Sequence, residues 1–244
     1  MKVANTLRLV VVATLLTAML GSAEAAVTGV KITEWMYSPV GSPGEFVELT
    51  NFGPTVIDFT GWSFDNNSRM AGSESLSGFG TVASGESVVF TEATAAAFST
   101  AWNLSSSVKV IGGSVNSLGQ SDEINLYDAS NTLVDRLTFN DQGTGTVKSP
   151  RTQGVSGEAG SVAAIGANNA SLWNLSVLGD SAYQSVGNDI GSPGKAFFDP
   201  KEADVPLPSA ALLLGSGLLF MGVISRRRQE LCPWHLLCRR FAVT

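Results

Sequence analysis

The chain has 244 residues, 44% of them hydrophobic and 15% charged, with 26 Gly, 9 Pro and a formal net charge of −6, which leaves room for one domain or two. Its one His (His235) and both Cys (Cys232, Cys238) fall within the last 13 residues. The chain before them can build no Ser-His-Asp triad, Cys nucleophile, His/Cys zinc site, haem site or disulfide framework, so any chemistry there falls to carboxylates, hydroxyls, amides, Lys/Arg and the backbone.

Lys2 and Arg8 flank the start of the apolar residues 9–20, and Ala23 and Ala25 supply the small side chains that fit a signal peptidase's narrow subsites. Residues 1–25 are expected to be a secretory signal peptide cleaved after Ala25. Residues 26–204 then carry 8 Lys/Arg against 19 Asp/Glu, about −11 in net charge. Such a surface repels nucleic-acid phosphate, so no nucleic-acid partner is expected; it suits solubility outside the cell, divalent cations or cationic partners.

The pattern along this body is β. Val30-Lys31-Ile32-Thr33-Glu34-Trp35 and Glu45-Phe46-Val47-Glu48-Leu49-Thr50 alternate, and the second ends at the turn signal Asn51-Phe52-Gly53-Pro54. Residues 55–64 read as a strand or pair broken at Gly61, and residues 87–91 as a short buried strand. Residues 92–102 are Ala-rich with Phe98 and Trp102 four apart, which predicts one short helix with Thr91 as its cap. Strands are expected at 108–111, at 123–127 and 133–139 as a hairpin across the Asp/Asn turn 128–132, and at 161–165 and 172–177. Residues 140–160 read as loop, and 198–204 as a charged linker. Many short strands between Gly-rich turns predict an all-β sandwich with one short helix.

Val30 to Tyr37, Gly44 to Asn51, Asp58 to Trp62, Ser84 to Val89, Asp122 to Asp128 and Gly191-Ser192-Pro193-Gly194, in this order, resemble the lamin-tail domain of bacterial exported proteins. Glu48-x-x-Asn51 together with Gly61-Trp62 is the most telling combination. The resemblance spans residues 27–197 and implies an immunoglobulin-like β-sandwich used as a binding or adhesion module, with no defined catalytic site.

Glu34 and Glu48 each fall on an early strand, and with Asn51 and Asp65 they are read as residues that fix turns or take part in binding; the alternative, if those strands pair, is two carboxylates that approach one another as in glycosidases. Asp65-Asn66-Asn67-Ser68 and Asp122-Glu123 cluster oxygens of the kind Ca²⁺ favours, and serve equally as solvated turns. Beyond that possible Ca²⁺ no cofactor is expected. Trp35, Trp62, Trp102 and Trp173 are read as core, with a sugar-stacking platform as the alternative.

Val205-Pro206-Leu207-Pro208 opens an uncharged run, residues 209–225, closed at once by Arg226-Arg227-Arg228. At roughly 1.5 Å per residue a helix of this length just spans a bilayer core, and trailing arginines belong on the cytoplasmic side. Residues 205–228 resemble the PEP-CTERM sorting signal in a Pro-Leu-Pro variant. That resemblance implies a Gram-negative bacterium, an exosortase-type processing enzyme as partner, and delivery to the cell envelope or an extracellular polysaccharide matrix. Residues 229–244 form a tail of different composition, longer than such signals carry. The reading is an exported, noncatalytic surface or matrix protein that binds extracellular polysaccharide or envelope protein; the alternative is a carboxylate- or metal-dependent envelope hydrolase.

Overall fold

Alternation in the first two apolar runs builds the centre of the protein. The computed structural model describes residues 27–41, 43–140, 152–179 and 182–196, all within the compact unit Ala25–Ala203. In chain order its strands are β1 (Val30–Met36), β2 (Phe46–Asn51), β3 (Ile57–Asp58), β4 (Ser63–Asp65), β5 (Glu74–Ser75), β6 (Thr81–Val82), β7 (Ser87–Thr91), β8 (Lys109–Gly112), β9 (Ser121–Tyr127), β10 (Leu133–Asn140), β11 (Gly157–Ala159), β12 (Trp173–Leu175), β13 (Tyr183–Gln184) and β14 (Ile190–Gly191). One α-helix among the described residues, α1 (Ala95–Ala101), lies between β7 and β8.

Six strands form one sheet in the order β12-β11-β1-β2-β7-β8, and four form another in the order β10-β9-β4-β5. Their inward side chains share one core: Ile32, Trp35, Val47, Leu49, Val88 and Phe90 from the first meet Phe64, Ile124, Leu126, Leu137 and Phe139 from the second. Trp35 stacks on Phe139 at 4.2 Å between ring centres and Phe64 meets Phe90 at 4.5 Å. This is the two-layer sandwich that the sequence predicts, with the inner faces filled by residues two apart on each strand. Trp35 and Trp102 are both buried, so they serve as core rather than as a sugar platform.

The register of β1 against β2 shifts between Ile32 and Glu34. One extra residue reverses the alternation, so Ile32 and Trp35 both enter the core while Thr33 and Glu34 both turn to the outer face of the six-stranded sheet. Part of that outer face is a second apolar cluster, in which Phe98 and Trp102 of the helical segment cover Met36, Phe46 and Val89. The four-residue spacing of Phe98 and Trp102 thus does what was expected of it. The cap does not: Thr94 holds that place, its Oγ1 accepting the Ala97 N–H at 3.3 Å. Thr91 is the last residue of β7, and its hydroxyl donates to the Glu45 carbonyl at 2.6 Å.

Residues 55–64 divide at Gly61, φ +80°, into β3 and β4, which go to different sheets. The 121–140 hairpin forms as expected, with Asp128 Oδ1 accepting the Ser130 and Thr132 N–H groups in its turn. Two expectations fail. Residues 161–165 hold a 3-10 turn, Val162–Ala164, rather than a strand, since positive-φ Gly166 closes the segment one turn after Ser161. Residues 157–159, read as loop, form β11 between β1 and β12.

Candidate functional site

Antiparallel pairing sets Glu34 directly opposite Glu48, and the bulge puts both on the outer face, with 1% and 0% of their surface exposed. The two carboxylates that the sequence placed on early strands are therefore brought together. Glu34 Oε1 accepts the Ser156 hydroxyl and, at 2.7 Å, the Ser192 N–H; its Oε2 accepts the Ser192 hydroxyl at 3.1 Å. Glu48 Oε1 accepts the Thr33 hydroxyl at 2.6 Å, and Oε2 accepts the Gly194 N–H at 2.7 Å. A chain of hydroxyls extends the network: Thr33 to Thr50 at 2.9 Å, Thr50 to Ser87 at 2.7 Å, and Ser156 to Ser176 at 2.7 Å.

No Lys or Arg side chain bonds either carboxyl among the described residues. Burial therefore dominates, and it pushes both groups above the usual carboxylate range; Glu34 adds to the rise at Glu48, and Glu158 adds to the rise at Glu34. Two like charges facing each other without solvent cannot both be borne cheaply, so ionisation of one carboxyl opposes ionisation of the other. Tyr183 on β13 feels the same surroundings: its phenol is raised by burial and by both carboxylates, and its hydroxyl donates to the Pro193 carbonyl at 2.6 Å.

The lid over the pair is the segment following β14. A Cβ on Gly191 would lie 2.8 Å from Glu34 Oε1 and 2.9 Å from Ser156 Oγ, so only glycine lets this backbone pass so close. Beside it lies a cleft of 530 Å³ lined by Trp102, Asn103, Leu104, Ser105, Val108, Tyr183, Gln184 and Pro193 to Lys195.

The other candidates sit elsewhere. Asn51, at the end of β2, is fully buried; its Oδ1 accepts the Gly53 N–H, and its Nδ2 donates to the Thr55 and Val82 carbonyls. These bonds hold the 51–55 turn. Asp65 ends β4 in the other sheet, where Oδ2 accepts the Met70 N–H and the Ser68 hydroxyl. Asp122 accepts the Asn67, Gly119 and Glu123 N–H groups. Glu123 is held down to about 2 by its bond with Arg69. These bonds engage Asp65 Oδ2, Asp122 and Glu123, while Asp65 Oδ1 is buried with no hydrogen-bond partner among the described residues. Among the described residues no group of three or more His, Cys, Asp or Glu side chains is placed to hold a metal ion. Ala23, Ala25, Val205, Pro206, Leu207, Pro208, Arg226, Arg227 and Arg228 lie outside the described residues, as does the apolar run 209–225. Among the described residues no helix is long and apolar enough to cross a membrane.

Sequence reasoning missed Ser156, Ser176 and Tyr183 as partners of this network. The quoted Gly191-Ser192-Pro193-Gly194 was the one available signal, since its glycines and turn residues mark a close backbone approach.

Replacing Asn51 by Ala is expected to cost about 3 kcal/mol, because a buried N–H and two carbonyls lose their partners at roughly 1–3 kcal/mol each, partly relieved by relaxation. Urea denaturation measures it. A loss under about 1 kcal/mol would mean that the 51–55 turn is held by other contacts.

Residues 23–141 match the family model of the lamin tail domain. The match takes in β1 through β10 and stops before β11, β12 and the lid over the carboxyl pair. No curated protein and no solved structure matches the chain.

Proposed function

We propose that this chain is an exported, noncatalytic surface or extracellular-matrix binding protein of a Gram-negative cell envelope, processed by an exosortase-type membrane enzyme. The observation that carries the reading is the pairing of two sequence signals that demand one orientation: an export signal in residues 1–25, and a proline-bounded apolar run closed by Arg226-Arg227-Arg228. An immunoglobulin-like lamin-tail sandwich between them is a binding scaffold by family habit. The burial of Glu34 and Glu48 supports the noncatalytic side of this reading, since carboxyls at 1% and 0% exposure line no surface of this structure that a substrate touches. Polysaccharide or an envelope protein has hydrogen-bonding groups to meet at the cleft, where Asn103, Ser105, Gln184 and Lys195 line the wall.

Intact mass of the mature protein from its native host tests the sorting half. A species that begins at Ala26 and ends near Val205 to Pro208 is expected. A mature species that still contains Arg226 to Arg228 would make the C-terminal run a permanent anchor and remove matrix release. Hydrolysis of an envelope polymer by the purified protein, lost in Glu48→Gln with the fold intact, would overturn the noncatalytic half.

A further inference from the structure

Residues 192–196 are attached to the sandwich in an unusual way. Their amides donate to side chains on the outer face of the six-stranded sheet rather than to strand carbonyls: Ser192 to Glu34, Gly194 to Glu48 and Ala196 to Ser87. Further ties are the Ser192 hydroxyl on Glu34, the Tyr183 hydroxyl on the Pro193 carbonyl and the Lys195 amide, which faces Glu48 and also donates to the Ser192 carbonyl at 3.2 Å. The residues just before them are held differently, with Ile190 N–H donating to the Gly154 carbonyl and the Ser156 N–H donating to the Ile190 carbonyl. A hinge therefore lies at Gly191: backbone ladder on one side, carboxyl acceptors on the other.

We infer that residues 192–196 form a proton-dependent latch, shut over the outer face of the six-stranded sheet while the Glu34–Glu48 pair holds a proton, and released when both carboxyls ionise. The geometry supplies the stored repulsion. Two glutamates stand opposite each other on neighbouring strands, sealed from water by the very segment they bind. Opening that segment admits water to both, which relieves the repulsion at the cost of the amide and hydroxyl bonds.

The groups facing the pair do not provide a compensating cation. β11 brings Glu158, an acid, and β13 brings Tyr183. β7, β12, β14 and α1 contain no titratable side chain. Lys31 on β1 donates instead to the Val134 carbonyl of the opposite sheet, and Lys195 has an exposed side chain. Asp189, at the start of the last turn, accepts the Val40 N–H.

The sign follows from proton counting. The shut state raises both carboxyls above their ordinary value and so binds more protons than the open state. The free energy of opening must then fall as pH rises, from the ordinary carboxylate value of 4.5 up to the raised values of the shut pair.

Residue-resolved hydrogen exchange on the full chain, corrected for intrinsic rates, tests the latch from pH 5 to pH 8.5. Protection of the Ser192, Gly194, Lys195 and Ala196 amides is expected to drop by about tenfold per pH unit for each proton released on opening, while amides of β9 and β10 hold theirs. In Glu48→Gln, and separately in Glu34→Gln, that slope should flatten. Constant protection of these four amides across the range would overturn the latch, and so would a parallel loss in β9 and β10, which reports global unfolding. An unchanged slope in both variants would also overturn it. If neither variant folds, the wild-type series decides alone; none of these outcomes bears on the sorting reading, which rests on mass.

Discussion

A chain of residues 26–141, cut where the lamin-tail match ends, is expected to lose its cooperative unfolding transition altogether. β11 is hydrogen-bonded along the outer edge of β1, and β12 along β11, so the cut leaves the strand that carries Ile32 and Trp35 unpaired on one side. The same cut removes Ala159, Ala164, Ile165, Ala170 and Trp173 from the shared core. Truncating a buried Trp alone costs about 3–5 kcal/mol, against roughly 5–15 kcal/mol for the whole stability of a domain. Hydration of Glu34, freed by the loss of its cover, offsets only part of this. Near-UV circular dichroism and urea titration of residues 26–141 beside residues 26–204 provide the comparison. A sharp transition in the shorter chain, within about 2 kcal/mol of the longer, would make residues 152–196 an appendage to a sandwich complete without them.

That boundary also marks where the sequence stops being legible. β1, β2, β9 and β10 each have one face on the core and residues long enough to pack there, so period-two alternation reveals them. β11 is Gly-Glu-Ala, buried between two strands, with no large side chain to declare a face. Residues 161–165 carry only two β-branched side chains, Val162 and Ile165, around Ala163 and Ala164, and they form a single 3-10 turn before Gly166 at φ +72°. Two apolar residues at the ends of a five-residue run do not distinguish a strand from a turn.

The site divides along the same line. The opposition of Glu34 and Glu48 follows from strands adjacent in the chain, and was readable as a conditional. The hydroxyls that complete it come from Ser156 and Ser192, 122 and 158 residues away from Glu34 in sequence. Nothing local distinguishes those serines from their many neighbours, because a satisfied buried carboxyl needs a donor of the right reach and not a particular motif.

Gly112→Ala is expected to destabilise the protein by at least about 3 kcal/mol, the upper end of overpacking effects, although Gly112 has no left-handed backbone. The reason is the crossing of β8 beneath the entry to α1. A Cβ at Gly112 would sit well inside contact with the backbone of Ala93, Thr94 and Ala95, and backbone has no rotamer in which to yield. The chain is pinned immediately after Gly112, by Gly113 N–H on the Ala93 carbonyl at 2.9 Å and Ser114 N–H on the Thr91 carbonyl at 3.0 Å. Relief therefore requires α1 to move, and with it Phe98 and Trp102, which seal Phe46 and Val89. Gly113→Ala is the matched control: φ is +84° there and the space around it is open, so it should cost only the roughly 1–2 kcal/mol of a left-handed alanine. Equal losses in the two variants would show that conformation rather than collision governs this crossing. Because Trp102 packs edge-on against Tyr183 at 5.6 Å, and Tyr183 holds Pro193, displacement of α1 should also lower the protection of residues 192–196 at every pH, without changing its slope.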